Sequence, residues 1–302
     1  MSEMNHLSWE QKVRRFFDDA SKEYAHSYSG MTPESHYFVA RQKIVLSFLD
    51  KLSGGRILDV GCGPGMMVEP CTQRGFVYTG LDISEKMIDE CLRRYHNMTS
   101  ANFCVGRIQD LPFEDDFFDV LLCMGAFEYV RAEEQDAAMA EMIRVTKPGG
   151  LLIISHLNRV SPYRLWDKHV YAKARSLKRL AKRLLHGPGH SPEPEAQPRD
   201  FLERERLNAM KSRHLKIIDT VYFGFNVFLR PFDRLLPRLA VGASEKLGSQ
   251  SRGFLRILGM AFIIVAQKTG YISPDIVDLV LSSTEPPQGV PPIAEKFPNK
   301  VV

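Results

Sequence analysis

No stretch of this sequence approaches the ~18 apolar residues that a membrane-spanning helix needs. The nearest, Ile257–Ala266, is short and rich in β-forming residues, and reads as a buried strand. The N-terminus, MSEMNHLSWEQKVRRFF, has no apolar core of a secretory leader. Cysteine is scarce: five residues, at 62, 71, 91, 104 and 123, odd in number and without a CxxC pair. That argues against a disulfide framework and against a zinc cluster, so no metal is expected. Together these absences point to the reduced cytoplasm. With 44% apolar and 25% charged residues in 302, wholesale disorder is not expected either.

Charge is unevenly spread. Residues 1–160 hold 17 Lys and Arg against 23 Asp and Glu, whereas 161–302 hold 23 against 13. An acidic first half and a basic second half suggest two regions that face different partners.

Residues 9–28 read as an amphipathic helix with interleaved aromatics, followed by a loop. Apolar residues at helical spacing over 34–52 mark a second helix, stopped by Ser53-Gly54-Gly55. A β-α alternation follows. Strands are expected at Arg56–Val60, Phe76–Leu81, Asn102–Val105, Phe118–Met124 and Leu151–Ser155. Helices are expected at Gly65–Gln73, Glu85–Tyr95 and Glu133–Thr146. Such alternation implies a parallel sheet covered on both faces. After Asn158 the pattern changes to a basic helix over 162–186, a Pro/Gly-rich loop (Gly187–Pro198), a helix (Arg199–Ser212) and a strand (Leu215–Tyr222). A last strand is expected at Met260–Gln267.

The decisive segment is Ile57-Leu58-Asp59-Val60-Gly61-Cys62-Gly63-Pro64-Gly65. A strand runs into three alternate glycines, where the backbone must turn sharply and a ligand can lie where Cβ atoms would clash. A dinucleotide site would want G-x-G-x-x-G, but Met66 stands where its last glycine would be. Asp59, two residues before the first glycine, suits the ammonium and sulfonium of S-adenosylmethionine better than a pyrophosphate. Asp82, at the carboxyl end of the next strand, is placed to accept from both ribose hydroxyls. Candidate bases near the strand ends are His156 and Tyr129. Tyr24, His26 and His36 would come from the N-terminal lid.

LDVGCGPG at 58–65, GLDIS at 80–84, LPFEDDFFDVLLCMGAFEYV at 111–130 and RVTKPGGLLIIS at 144–155 resemble class I S-adenosylmethionine-dependent methyltransferases. The likeness is to the small-molecule group that includes ubiquinone- and biotin-pathway enzymes, and it covers about residues 17–158. It implies a doubly wound, Rossmann-like α/β fold with a seven-stranded sheet whose last strand is antiparallel, plus a helical insertion forming a lid. It also implies donor contacts from Tyr24, Asp59, Gly61, Gly63, Gly65, Asp82, Ile83, Ile108 and Met124. The chain departs from this group twice. Gly106-Arg107-Ile108 replaces Gly-Asp-Ala, whose acid holds the adenine amino group, leaving Ile108 to meet adenine. Phe127-Glu128-Tyr129 replaces Leu-Glu-His, so a histidine base there is absent.

The organisation expected is a helical lid over 1–52, a donor-binding core over 53–158, an acceptor-binding insertion over 159–248, a closing strand and helix over 249–281, and a disordered tail over 282–302. Arg164–Arg183 holds eight basic residues and one acid, with Trp166, Val170, Ala174, Leu177, Ala181 and Leu184 at helical steps. That pattern suits a helix lying on an anionic membrane surface, or alternatively a lid helix with solvated charges. Nucleic acid is disfavoured, because no nucleic-acid module accompanies the charge. The expected activity is methyl transfer to an oxygen of an apolar small molecule or lipid-like acceptor. Rival readings are a non-catalytic protein that keeps the donor fold, and an RNA or protein methyltransferase. Cys-Met-Gly-Ala at 123–126, in place of Asp/Asn-Pro-Pro-Tyr, counts against N-methylation. The sequence leaves oligomeric state open.

Overall fold

The computed structural model describes residues 7–24, 28, 32–177, 196–213, 215–248 and 253–269. Two helices, α1 (Trp9–Tyr24) and α2 (Pro33–Leu49), lead into β1 (Gly55–Val60). Then follow α3 (Val68–Thr72), β2 (Phe76–Asp82), α4 (Glu85–Arg94), β3 (Ala101–Val105), β4 (Phe118–Cys123), α5 (Gln135–Val145) and β5 (Thr146–Asn158). Beyond β5 come α6 (Pro162–Trp166), which continues through a π-helical turn (Asp167–Tyr171), and the short β6 (Asp200–Phe201). Helix α7 (Glu203–Lys211), β7 (Leu215–Phe223), α8 (Phe232–Leu235), α9 (Pro237–Gly248) and β8 (Ala261–Lys268) complete the described chain.

The strands form one sheet in the order β3-β2-β1-β4-β5-β8-β7. β8, last in sequence, runs antiparallel to both neighbours. This is the Rossmann-like sheet expected, with β6 as an eighth, two-residue strand paired to β5. Near-continuous apolar runs make the central strands because helices cover both faces. Alternate side chains divide between two cores. Ile57, Val120, Ile153 and Ile263 pack with Val45, Phe48 and Leu49 of α2. Leu58, Leu121, Leu152 and Ile264 pack with Ala138 and Met142 of α5. Each such buried aliphatic contributes roughly 1.5–3 kcal/mol of transfer free energy.

Local chemistry sets the helix starts. Ser84 accepts from Met87 N to cap α4, and Thr32 accepts from Ser35 N ahead of Pro33 to cap α2. Helix α3 begins at Val68 rather than at the expected Gly65, because Gly61, Gly63 and Gly65 all take positive φ (76°, 53° and 76°) and prolong the turn. β5 is longer than expected. A register shift between Phe118 and Val120 lets Lys147-Pro148-Gly149-Gly150 join the strand instead of ending a helix. Asp119, the polar residue of β4, accepts from Arg56 N at 2.8 Å and pairs with Lys147 at 2.6 Å. The expected helix at 199–212 gives up Asp200 and Phe201 to the sheet and starts at Glu203. Residues 178–195, which include the second half of the basic helix and most of the Pro/Gly-rich loop, lie outside the described residues, as does the expected tail at 282–302.

A side chain at Gly65 would meet the Tyr95 ring at 2.8 Å, Val68 at 3.0 Å and Cys91 Sγ at 3.1 Å, in a backbone conformation that disfavours Cβ. Gly65→Ala should therefore cost about 2–4 kcal/mol of stability. Urea unfolding without ligand measures this, and an unchanged midpoint would remove the packing role.

Candidate donor-binding site

Neighbouring strands β1 and β4 leave the chain in opposite lateral directions, which opens a crevice at their carboxyl ends. A partly open cavity, about 770 Å³ including the space open to solvent, occupies it. Its floor is the turn after β1. Gly61 N and Cys62 N donate to Leu81 O at 2.7 and 3.1 Å, and Gly63 N donates to Asp82 Oδ2 at 2.9 Å. Ser84 N donates to Asp82 Oδ1 at 2.9 Å. Asp82 is thus clamped by backbone N–H groups on both oxygens, and each oxygen keeps a lone-pair direction for a ribose hydroxyl. Burial raises its pKa while those N–H groups oppose the rise.

Glycine is required at two positions of the turn for different reasons. A Cβ on Gly61 would lie 2.3 Å from the Ala126 Cβ, so the turn can meet the loop after β4 only without one. A Cβ on Gly63 would meet only the Tyr24 ring, at 3.8 Å, and would fill space in the cavity itself.

Tyr24, Gly61, Gly63, Asp82, Ile83, Ile108, Met124 and Tyr129 are brought together on the cavity wall. Three other expected residues stand elsewhere. Asp59 is buried beneath the turn, where its Oδ2 accepts from Tyr78 Oη at 2.6 Å and its Oδ1 has no partner. Burial, partly offset by the Tyr78 hydrogen bond and Arg41, pushes its pKa up to about 6. Gly65 packs against Tyr95 and Cys91, away from the lining residues.

His156 also stands apart. It is 0% exposed and lies on the same face of β5 as Leu152 and Ile154, wedged between Phe127, Phe201 and Phe262. Burial, then the charge of Arg206, drives its pKa well down. The expectation of a base at His156 is corrected accordingly, since the alternation of β5 turns that side chain into an aromatic core. Burial raises Tyr129 and Tyr24 well above the usual tyrosine range, so both stay protonated near neutral pH and act there as hydrogen-bonding hydroxyls or packing rings. His36 lies on α2, 4.0 Å from Glu245, and His26 is outside the described residues.

Helix α1 closes the cavity with Trp9, Val13, Phe17 and Tyr24. The i, i+4, i+8 spacing of the first three was the available signal for that face. Trp9 Nε1 donates to Tyr129 O at 2.7 Å, and Ser84 Oγ donates to Asp18 Oδ1 at 2.5 Å. Arg107, which replaces the expected adenine-binding acid, pairs with Glu10 of the lid at 2.9 Å and with Glu134 at 3.5 Å. Glu134 and Gln109, joined by a 3.1 Å hydrogen bond, also line the cavity. Here the departure from the family pattern has become a strap.

The fit to S-adenosylmethionine rests on three features: a partly open pocket at the strand ends, a diol-sized carboxylate held in place, and an unpartnered buried carboxylate oxygen near the bare turn. Residues 58–154 match the family described as methyltransferase domain. Those residues, 97 of the chain's 302, are similar to a methyltransferase domain. Over 119 residues the chain is 36% identical to phthiotriol/phenolphthiotriol dimycocerosates methyltransferase 1 of Mycobacterium ulcerans, covering 39% of this chain and 43% of the relative. Over 112 residues it is 34% identical to the ubiquinone biosynthesis O-methyltransferase of Xanthomonas oryzae pv. oryzae, covering 36% and 45%. The match thus spans about half the length of these relatives. Magnesium protoporphyrin IX methyltransferase from Synechocystis, crystallised with bound S-adenosylmethionine, superposes with a TM-score of 0.54. It is 17% identical over 87% of this chain and 98% of that one, a likeness of fold.

Asp82→Ala should lower donor affinity by about 1.5–3 kcal/mol, roughly 10- to 100-fold, in isothermal titration. Unchanged affinity would show that the carboxylate does not hold the ribose. Because a cationic donor favours ionised Asp59, wild-type affinity should also fall as the pH drops through about 6. Asp59→Asn should remove that dependence.

Proposed function

We propose that the protein transfers a methyl group from S-adenosylmethionine to an oxygen of an apolar small-molecule or lipid-like acceptor. The observation that carries this is the cavity at the sheet's switch point, with Asp82 fixed by Gly63 and Ser84 on its floor. Bound there, the donor supplies a sulfonium methyl already activated for in-line displacement. The protein's residues then have mainly to align, enclose and deprotonate. Asp82 would hold the ribose, Ile108 and Val130 would flank the base, and Met124-Gly125 would border the reacting end. The aromatic lid of α1 would keep water from the sulfonium.

The acceptor class is supported by the two named relatives, an O-methyltransferase of ubiquinone biosynthesis and a methyltransferase of dimycocerosate lipids. It is supported too by the surface of the insertion. Leu165, Val170 and Leu177 on the basic helix are exposed, as are Phe232, Leu235, Leu239 and Phe254 further along. Exposed Lys168, Lys173, Arg175, Arg234 and Arg238 stand among them. No helix among the described residues is long and apolar enough to cross a membrane. An apolar and cationic face of this kind suits an anionic bilayer, each cation adding ~1 kcal/mol near the surface. Trp166 is not part of that face, since its Nε1 donates to Arg230 O at 2.8 Å and ties the helix to α8.

Incubation with methyl-labelled donor and an apolar cell extract should give a labelled product one CH₂ heavier than its precursor. Absence of label from every apolar fraction would overturn the reading. For the surface, co-sedimentation with anionic vesicles is expected, weakened by Leu235→Asp with Leu239→Asp at least several-fold. Equal recovery in the supernatant with and without anionic lipid would refute it.

A further inference from the structure

Arg41 of α2 is 5% exposed and buried among aromatic rings. Its guanidinium carbon lies 5.0 Å from the Phe38 ring centroid and 5.9 Å from that of Tyr37. Nη2 donates to Tyr28 Oη at 2.9 Å. Among the described residues that is its one hydrogen-bond partner, and no carboxylate lies within ion-pairing distance. Its counterparts in the insertion are satisfied: Arg164 is paired with Asp200, and Arg230 with Glu34 and Asp167. A buried cation whose hydrogen-bond partner among the described residues is a neutral phenol is costly unless an anion completes it. Its position is specific as well. A Cβ on Gly125 would sit 2.7 Å from Arg41 Nη1, and Gly125 lines the donor cavity next to Met124. Only glycine lets the guanidinium reach that rim.

Three residues further along is Glu128, 2% exposed, whose Oε2 has no hydrogen-bond partner. The charged groups acting on it are Arg41 from α2, Arg164 from α6 and Asp200 from β6. Tyr37, Tyr129 and Cys123 also lie in its field. Arg164 is occupied by Asp200, with Nε to Oδ1 at 2.5 Å. Arg41 and Glu128 act on each other, yet no ion pair within 4.0 Å joins them. Two opposite buried charges, one with an unpartnered carboxylate oxygen and the other without a carboxylate partner among the described residues, match one kind of ligand group. That group is an acidic hydroxyl, which donates its proton to a carboxylate and accepts from a guanidinium.

Resting on the methyltransferase reading above, we propose that Arg41 and Glu128 form the acceptor's subsite and select a phenol or carboxylic acid. In a phenol the O–H bond breaks and its proton passes to Glu128, whereas a carboxylic acid enters already ionised. Arg41 stabilises the oxyanion, which attacks the methyl carbon. The O–CH₃ bond forms as the S–CH₃ bond breaks, and S-adenosylhomocysteine leaves neutral at sulfur. Burial pushes Glu128 up to about 7, with Arg41 and Arg164 opposing, so near neutral pH it can both take and release that proton.

The test uses the full chain loaded with S-adenosylhomocysteine and two pairs of probes: 1-naphthol with 1-methoxynaphthalene, and 1-naphthoate with its methyl ester. The acidic member of at least one pair should bind ten-fold or more tightly than its methylated partner. Arg41→Met should abolish that preference. Glu128→Gln, nearly isosteric, should leave carboxylate binding intact but remove the rise of methyl transfer to 1-naphthol through pH about 7. Equal binding within both pairs, no saturable binding of any acid, or a preference that survives in Arg41→Met would each overturn the subsite. Donor titration of the same variants separates the two readings. Donor affinity retained with the acid preference absent removes only the subsite. Loss of donor binding by the wild type removes the methyltransferase reading itself.

Discussion

The hydrogen bond from Gly63 N to Asp82 Oδ2 joins the turn after β1 to the end of β2, and the site is built outward from it. A carboxylate so deep in the protein would normally be costly. Backbone donors that need partners of their own hold it in place. The same bond fixes the turn, which with the Gly61 and Cys62 bonds to Leu81 O cannot slide along its neighbour. The turn's bare upper surface is then available to a ligand. Here the local need for paired N–H groups and the functional need for a rigid acid are met by one geometry.

How far the sequence foretold this varies with the kind of physics involved. The turn, its glycines and Asp82 were legible because each rests on local backbone demands: positive φ, a strand end, a helix cap. Tyr24, Ile108 and Met124 were legible only through the resemblance, yet they fall on the same wall. His156 was not legible. Proximity to a strand end put it near the site, but whether it faces the cavity depends on the parity of β5 and on Phe127 and Phe201, which reach it from distant elements. Gly65 shows a similar gap. Its spacing matched the motif, but its lack of a side chain serves the contact with Tyr95 and Cys91. The extra strand β6 is two residues long and has no periodicity to read.

Arg107 shows a departure from a pattern taking on another role. An arginine stands where the resemblance implied an adenine-binding acid, and its pairs with Glu10 and Glu134 link α1 to the loop before α5. These pairs are partly exposed, so each is worth at most about 1 kcal/mol. Their value lies in register: with Trp9 bonded to Tyr129 O and Asp18 to Ser84, they set the angle at which α1 crosses the cavity. A closed lid is the condition under which buried charges such as Arg41 and Glu128 act strongly, because water no longer screens them.

The charge asymmetry of the chain takes on a spatial meaning. The acidic half carries the donor crevice, where Asp59 and Asp82 suit a cationic cofactor. The basic half follows β5, and its cations partly neutralise its own acids, as Arg164 and Lys168 do at Asp200, and partly remain on its surface among exposed leucines and phenylalanines. Arg230 binds this region to the core, pairing with Glu34 of α2 as well as with Asp167 beside α6. Helix α2 also carries Arg41, seven residues and about two turns beyond Glu34. The element that anchors the insertion therefore also delivers a cation to the rim of the donor cavity.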